Sequence, residues 1–201
     1  MTASRCSALP CQAFVLAALL MCAAATHAVA QSQPVINHRV LATTRTSTLE
    51  KEMNEAADAG FRFTAVMGGE TAIGGKEVVA VMSRVEAPHA RYQYRLLATN
   101  RTSSMQKEIQ EASELGFEYI GQTVFESVFG GKEVVCILER NADQRSAAAY
   151  QYRLLATTKT STMQKELQDV GSSGFEVVGM TVGKTAMGGN ELVTIVRRRV
   201  R

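Results

Sequence analysis

Strand-like alternation and helix-like spacing follow one another three times along the chain. In Tyr92-Gln93-Tyr94-Arg95-Leu96-Leu97-Ala98, the residues Tyr92, Tyr94, Leu96 and Ala98 share one face, the period-two mark of a half-buried strand. Thr102-Ser103 breaks the alternation. Met105, Ile109 and Ala112 then fall at i, i+4 and i+7, one apolar stripe of an amphipathic helix, and Leu49, Met53 and Ala56 repeat it upstream. The pairs Ser47 with Glu50, Ser103 with Gln106 and Ser161 with Gln164 fit the Ser-x-x-Glu/Gln capping box and predict three helix starts. Gly60, Gly116 and Gly174 predict helix ends on a left-handed residue. Gly171 and two serines in the last turn make the third helix the weakest. Two strands follow each helix, Phe117 to Val124 and Glu133 to Leu138 in the middle segment. The glycine pairs Gly74-Gly75, Gly130-Gly131 and Gly188-Gly189 supply the hairpin loops between them.

These segments are copies of one unit. HRVLATTRTSTLEKEMNEAADAGF from His38 returns from Tyr94 and again from Tyr152, at offsets of 56 and 58, without gaps. The second and third copies share 25 of 47 positions, and the first and second share 21. The repeats are residues 38–84, 94–140 and 152–198, with a lead-in at 31–37, connectors at 85–93 and 141–151, and a basic tail at 199–201. Each reads as strand, helix, strand, strand. The fold class expected is therefore α+β: three tandem βαββ units, each one helix on a three-stranded, mainly antiparallel sheet. A 47-residue unit lies near the lower limit for folding alone. The short connectors, spanning roughly 25–35 Å at most, require neighbouring units to dock through sheet edges or uncovered sheet faces.

Composition changes this picture little. The chain is 46% hydrophobic and 20% charged, which excludes a disordered or collagen-like protein, and a net charge of +3 gives no reason to expect a nucleic-acid partner. The N-terminus changes it more. Ala13 to Ala25 is an apolar run of thirteen residues, short of the roughly 20 a membrane span needs. With Ala28-Val29-Ala30 as a small-x-small site, residues 1–30 read as a signal peptide cleaved after Ala30. The expected location is periplasmic or extracellular, with no transmembrane anchor after cleavage. Cys6, Cys11 and Cys22 leave with the leader, so Cys136 remains without an intrachain disulfide partner.

A strand beginning Tyr-x-Tyr, a helix ending in Gly-aromatic-Glu and a closing hairpin together resemble a small bacterial domain family of unknown function. The matching triplets are Gly116-Phe117-Glu118 and Gly174-Phe175-Glu176, from which Gly60-Phe61-Arg62 departs. The resemblance covers all three units and rests on structural motifs. The strand-helix-strand-strand order is also similar to that of dodecins, by topology alone.

Candidate chemistry sits at the helix starts. Arg45 with Ser47, Arg101 with Ser103, and Lys159 with Ser161 place a cation and a hydroxyl beside free backbone N–H groups, an arrangement able to hold an anion; plain capping beside a solvated cation is the preferred alternative. Tyr94 and Tyr152 are candidates for lining a ligand cleft, against the reading that tyrosines fill a core or cover an interface. Gly74-Gly75-Lys76 approaches a phosphate loop but lacks its spacing, and Glu77 stands where Ser or Thr belongs. Glu77, Glu133 and Glu191 are expected to face Arg39, Arg95 and Arg153 across the sheet. Cys136 reads as a buried thiol, and His38 and His89 form no metal site with it.

No catalytic set, cofactor motif or metal cluster emerges. The expectation is an exported, non-enzymatic binding or assembly module whose partner is a protein or an anionic polymer of the envelope, or a second copy in a homo-oligomer. A small ligand held between repeats is the alternative, and an enzyme ranks third.

Overall fold

The computed structural model describes residues 34–71, 75–85, 90–99, 101–127, 131–144, 150–184 and 189–200. The expected leader, its cleavage site and the tips of the three hairpins lie outside the described residues. The first repeat forms β1 (Ile36–Thr43), α1 (Thr46–Asp58), β2 (Arg62–Thr71) and β3 (Gly75–Val85). The second forms β4 (Tyr92–Thr99), α2 (Thr102–Glu114), β5 (Glu118–Ser127) and β6 (Gly131–Asn141). The third forms β7 (Tyr150–Thr157), α3 (Thr160–Ser172), β8 (Glu176–Lys184) and β9 (Asn190–Arg199). The fold is α+β, with each helix packed on its own antiparallel three-stranded sheet. The last strand of each repeat lies at the centre, giving the orders β1-β3-β2, β4-β6-β5 and β7-β9-β8.

Each first strand begins two residues ahead of the repeat boundary drawn from sequence, at Ile36, Tyr92 and Tyr150. The helix ends fall as expected, on Gly60, Gly116 and Gly174 with φ of 83°, 84° and 80°. Phe61, Phe117 and Phe175 follow, each donating its N–H to a carbonyl of the last helical turn. A threefold clamp seals this corner. Arg84, Arg140 and Arg198 lie over those rings at 4.9, 4.7 and 4.8 Å and donate to the carbonyls of Ala59, Leu115 and Ser173.

Two expectations fail. The serines do not cap the helices. The N-cap positions are Arg45, Arg101 and Lys159, without side-chain cap bonds, and Ser47, Ser103 and Ser161 lie two residues further on, in the first turn, on exposed positions. Instead, Thr43, Thr99 and Thr157 accept the N–H of Arg45, Arg101 and Lys159. The Glu–Arg cross-strand pairs are absent as well. Register sets Arg39 opposite Met82, Arg95 opposite Leu138 and Arg153 opposite Val196, while Glu77, Glu133 and Glu191 face Gly69, Phe125 and Gly183. Arg39 and Arg153 stack on Phe61 and Phe175 instead.

The repeats stack so that helices and sheets alternate. Leu49, Met53 and Ala56 of α1 share one core with Val78, Ala80 and Met82 of their own sheet and with Tyr94, Phe125, Val135 and Ile137 of the next. Met105, Ile109 and Ala112 of α2 likewise join Val134, Cys136 and Leu138 to Tyr152 and Ile195 of the third sheet. Residues 134–138 of β6 are consequently buried on both faces, as an unbroken apolar run requires.

Candidate functional site

The surfaces between repeats are built from a polar row beside each helix's apolar stripe. In β4, the N–H groups of Tyr94 and Leu96 point outward at the sheet edge. Asn54 and Glu50 of α1 accept them at 3.0 and 2.8 Å, and Asn54 also donates to the Tyr94 carbonyl. In β7, Gln110 and Gln106 of α2 accept the N–H groups of Tyr152 and Leu154, while Ser113 accepts from and donates to the Tyr150 backbone. α1 and α2 thus substitute for a missing strand along the next repeat's edge and satisfy groups that would otherwise template association. Glu50 and Gln106 of the supposed capping boxes serve this purpose. The sequence signal was the polar spacing 50, 54 and 106, 110, 113, which runs alongside the apolar residues at helical period.

Shape complementarity adds a second layer. Phe63 of β2 sits over Gly121, where a Cβ would come within 3.1 Å of its ring, and Tyr119 of β5 fills the corresponding space over Gly179, where a Cβ would collide with its hydroxyl. Gly68 approaches β5 so closely that a Cβ there would strike the Val124 carbonyl, and its N–H is accepted by Thr123 at 2.7 Å. Gln122, beside Gly179, is an exception to the polar bookkeeping: both its side-chain polar atoms are buried without a partner among the described residues.

Electrostatics closes each junction with a buried tyrosine beside an ion pair, and Lys76 with Glu126 adds a second pair at the first junction, at 3.0 Å. The Tyr94 hydroxyl accepts the Phe63 N–H at 2.8 Å and donates to Glu139 at 2.9 Å, while Glu139 takes the Arg62 guanidinium at 2.7 Å. At the second junction the Tyr152 hydroxyl accepts the Tyr119 N–H, and the charges exchange sides, with Arg197 facing Glu176 at 2.7 Å and Glu118 at 3.8 Å. Arg62 and Arg197 stack on Tyr92 and Tyr150, both at 4.4 Å. Burial pushes the Tyr94, Tyr119 and Tyr152 phenols above the usual tyrosine range.

The candidate residues fall at separate places in the fold. Tyr94 and Tyr152 are buried with engaged hydroxyls, and Tyr152 also forms part of the wall of the groove along α2. The groove along α2 between repeats 2 and 3 is lined by polar residues such as Ser103, Lys107, Gln110 and Glu111. Arg45, Arg101 and Lys159 are exposed, each at its own helix start. Cys136 is fully buried against Met105, and burial pushes its thiol up to about 12. His38 binds Ser83 at 2.8 Å, and among the described residues no group of three His, Cys, Asp or Glu could hold a metal. Arg197 and Arg198 of β9, just before the basic tail, are occupied by the contacts above.

The two ends of the stack break the pattern. α3 buries only Met163 and Val170, where α1 and α2 each bury four residues. On the first sheet's outer face Ile36, Val40 and Met67 are 51%, 65% and 55% exposed. At the positions of Ile36 and Val40 the later sheets carry Tyr92 and Leu96, then Tyr150 and Leu154, which pack into the cores that hold α1 and α2. No family model, curated protein or solved structure matches the chain, so the resemblances rest on the motifs quoted for them. No helix among the described residues is long and apolar enough to cross a membrane.

Proposed function

We propose that this chain is an exported, non-enzymatic assembly module of the periplasm or cell exterior, whose binding surfaces are the two ends of its stack. The observation that carries this reading is the uncovered apolar outer face of the first sheet. Repeat proteins normally close their ends with polar surface, because an exposed apolar layer costs solubility. Among the described residues every interior layer of this stack is covered, and this one is not. A small ligand held in the groove along α2 between repeats 2 and 3, whose lining includes Gln110 and Tyr152, remains the second reading.

Native mass spectrometry of the purified exported chain tests the reading. Oligomers, or a stoichiometric complex with a partner that a Val40→Glu substitution abolishes, are the expected result. A monomer that retains no partner would refute it.

A further inference from the structure

We infer that the partner is a second copy of this chain, docked head to tail, with α3 and β8 of one molecule receiving the outer face of the first sheet of the next. This rests on the assembly reading above and specifies its occupant. The argument is continuity: the same interface is already built twice within the molecule, and both halves of a third remain unpaired at its ends.

The donor half is intact. Gln164 and Gln168 of α3 occupy the positions of Gln106 and Gln110, and both are exposed. The acceptor half is intact too. His38 and Val40 of β1 occupy the positions of Tyr94 and Leu96, whose N–H groups take the helix side chains, and their register on β3 is the same. Among the described residues, no side chain meets the N–H groups of His38 and Val40.

The knob and hole also match, with sizes exchanged. Within the chain an aromatic knob meets a glycine, Phe63 on Gly121 and Tyr119 on Gly179. At the ends the aligned knob is Val177, 53% exposed, and the aligned hole is Ala65, also exposed. A smaller knob stands opposite a shallower hole, which is the change needed to keep the combined volume fitting. The polar position changes from an ion pair to hydrogen-bonding groups: Glu176, aligned with Arg62 and Glu118 and paired within its own repeat with Arg197, would face the Ser83–His38 pair, aligned with Glu139 and Tyr94. Such an interface is heterologous, so it extends into a filament or closes into a ring.

Two variants separate this from other modes of association. Val40→Glu blocks the head, Val177→Glu blocks the tail, and both positions are exposed, so each chain keeps its fold as judged by circular dichroism. In sedimentation equilibrium the unmodified chain should form concentration-dependent oligomers, and each variant alone should be monomeric. An equimolar mixture should give a one-to-one dimer, because the intact head of one variant meets the intact tail of the other. Self-association surviving in either variant, or a mixture that stays monomeric, would overturn the head-to-tail arrangement. An unmodified chain that is monomeric yet holds a different partner through Val40 overturns this inference and leaves the assembly reading standing; a monomer holding nothing overturns both.

Discussion

At the scale of single residues, the junctions make polar groups act where water is excluded. Gln122 shows the cost. Its aligned residues are Val66 and Met180, and nothing among the described residues meets its amide. Replacing it with methionine removes two unsatisfied groups at similar volume, so Gln122→Met should stabilise the protein by about 1 kcal/mol in urea unfolding. The tyrosines set an alkaline limit. Their folded-state phenols titrate above the ordinary value of 10.0, so the unfolded chain loses these protons first. Their contribution is fully present below about pH 10 and is lost as pH rises toward the folded values. Unfolding midpoints should fall above pH 10, and Tyr119→Phe should flatten that fall; an unchanged slope would contradict the assignment.

At the scale of elements, the repeats are held by backbone proximity as much as by side chains. Gly68 and Gly69 are sequence neighbours with opposite surroundings: a Cβ on Gly68 meets the Val124 carbonyl, whereas one on Gly69 reaches only the end of the Met67 side chain at 3.7 Å. Gly68→Ala should cost about 1–3 kcal/mol through forced separation of β2 and β5. Gly69→Ala should leave stability unchanged. Thermal denaturation of the two variants side by side checks the close approach. Equal effects would mean that β2 and β5 do not meet there.

At the scale of the whole molecule, shared cores should make the three repeats unfold together. Ile137 and Val135 of the second repeat lie in the core of the first, and Ile195 of the third lies in the core of the second. Urea unfolding followed by tyrosine fluorescence and by circular dichroism should therefore give one coincident transition. A fragment spanning residues 34–85 should lack a cooperative transition, because the surface that covers α1 is missing. Three separable transitions would show instead that the repeats are independent.

The repeat, the order of elements, the glycine ends of the helices and the apolar stripes were all legible along the chain, because each depends on residues within a few positions of one another. The serine capping boxes misled for the same local reason. Glu50 and Gln106 satisfy a motif about their own helix, but their partners are backbone N–H groups more than forty residues away. The Tyr-x-Tyr start of the strand was visible, yet nothing nearby distinguished an exposed ring from a buried one; the adjoining repeats bury Tyr94 and Tyr152 and leave Tyr92 and Tyr150 half-buried. Sequence thus determined the unit. Tertiary structure determined that units alternate as layers, because an apolar face finds its cover wherever the chain folds back, and it left one such face and one such helix without cover at opposite ends.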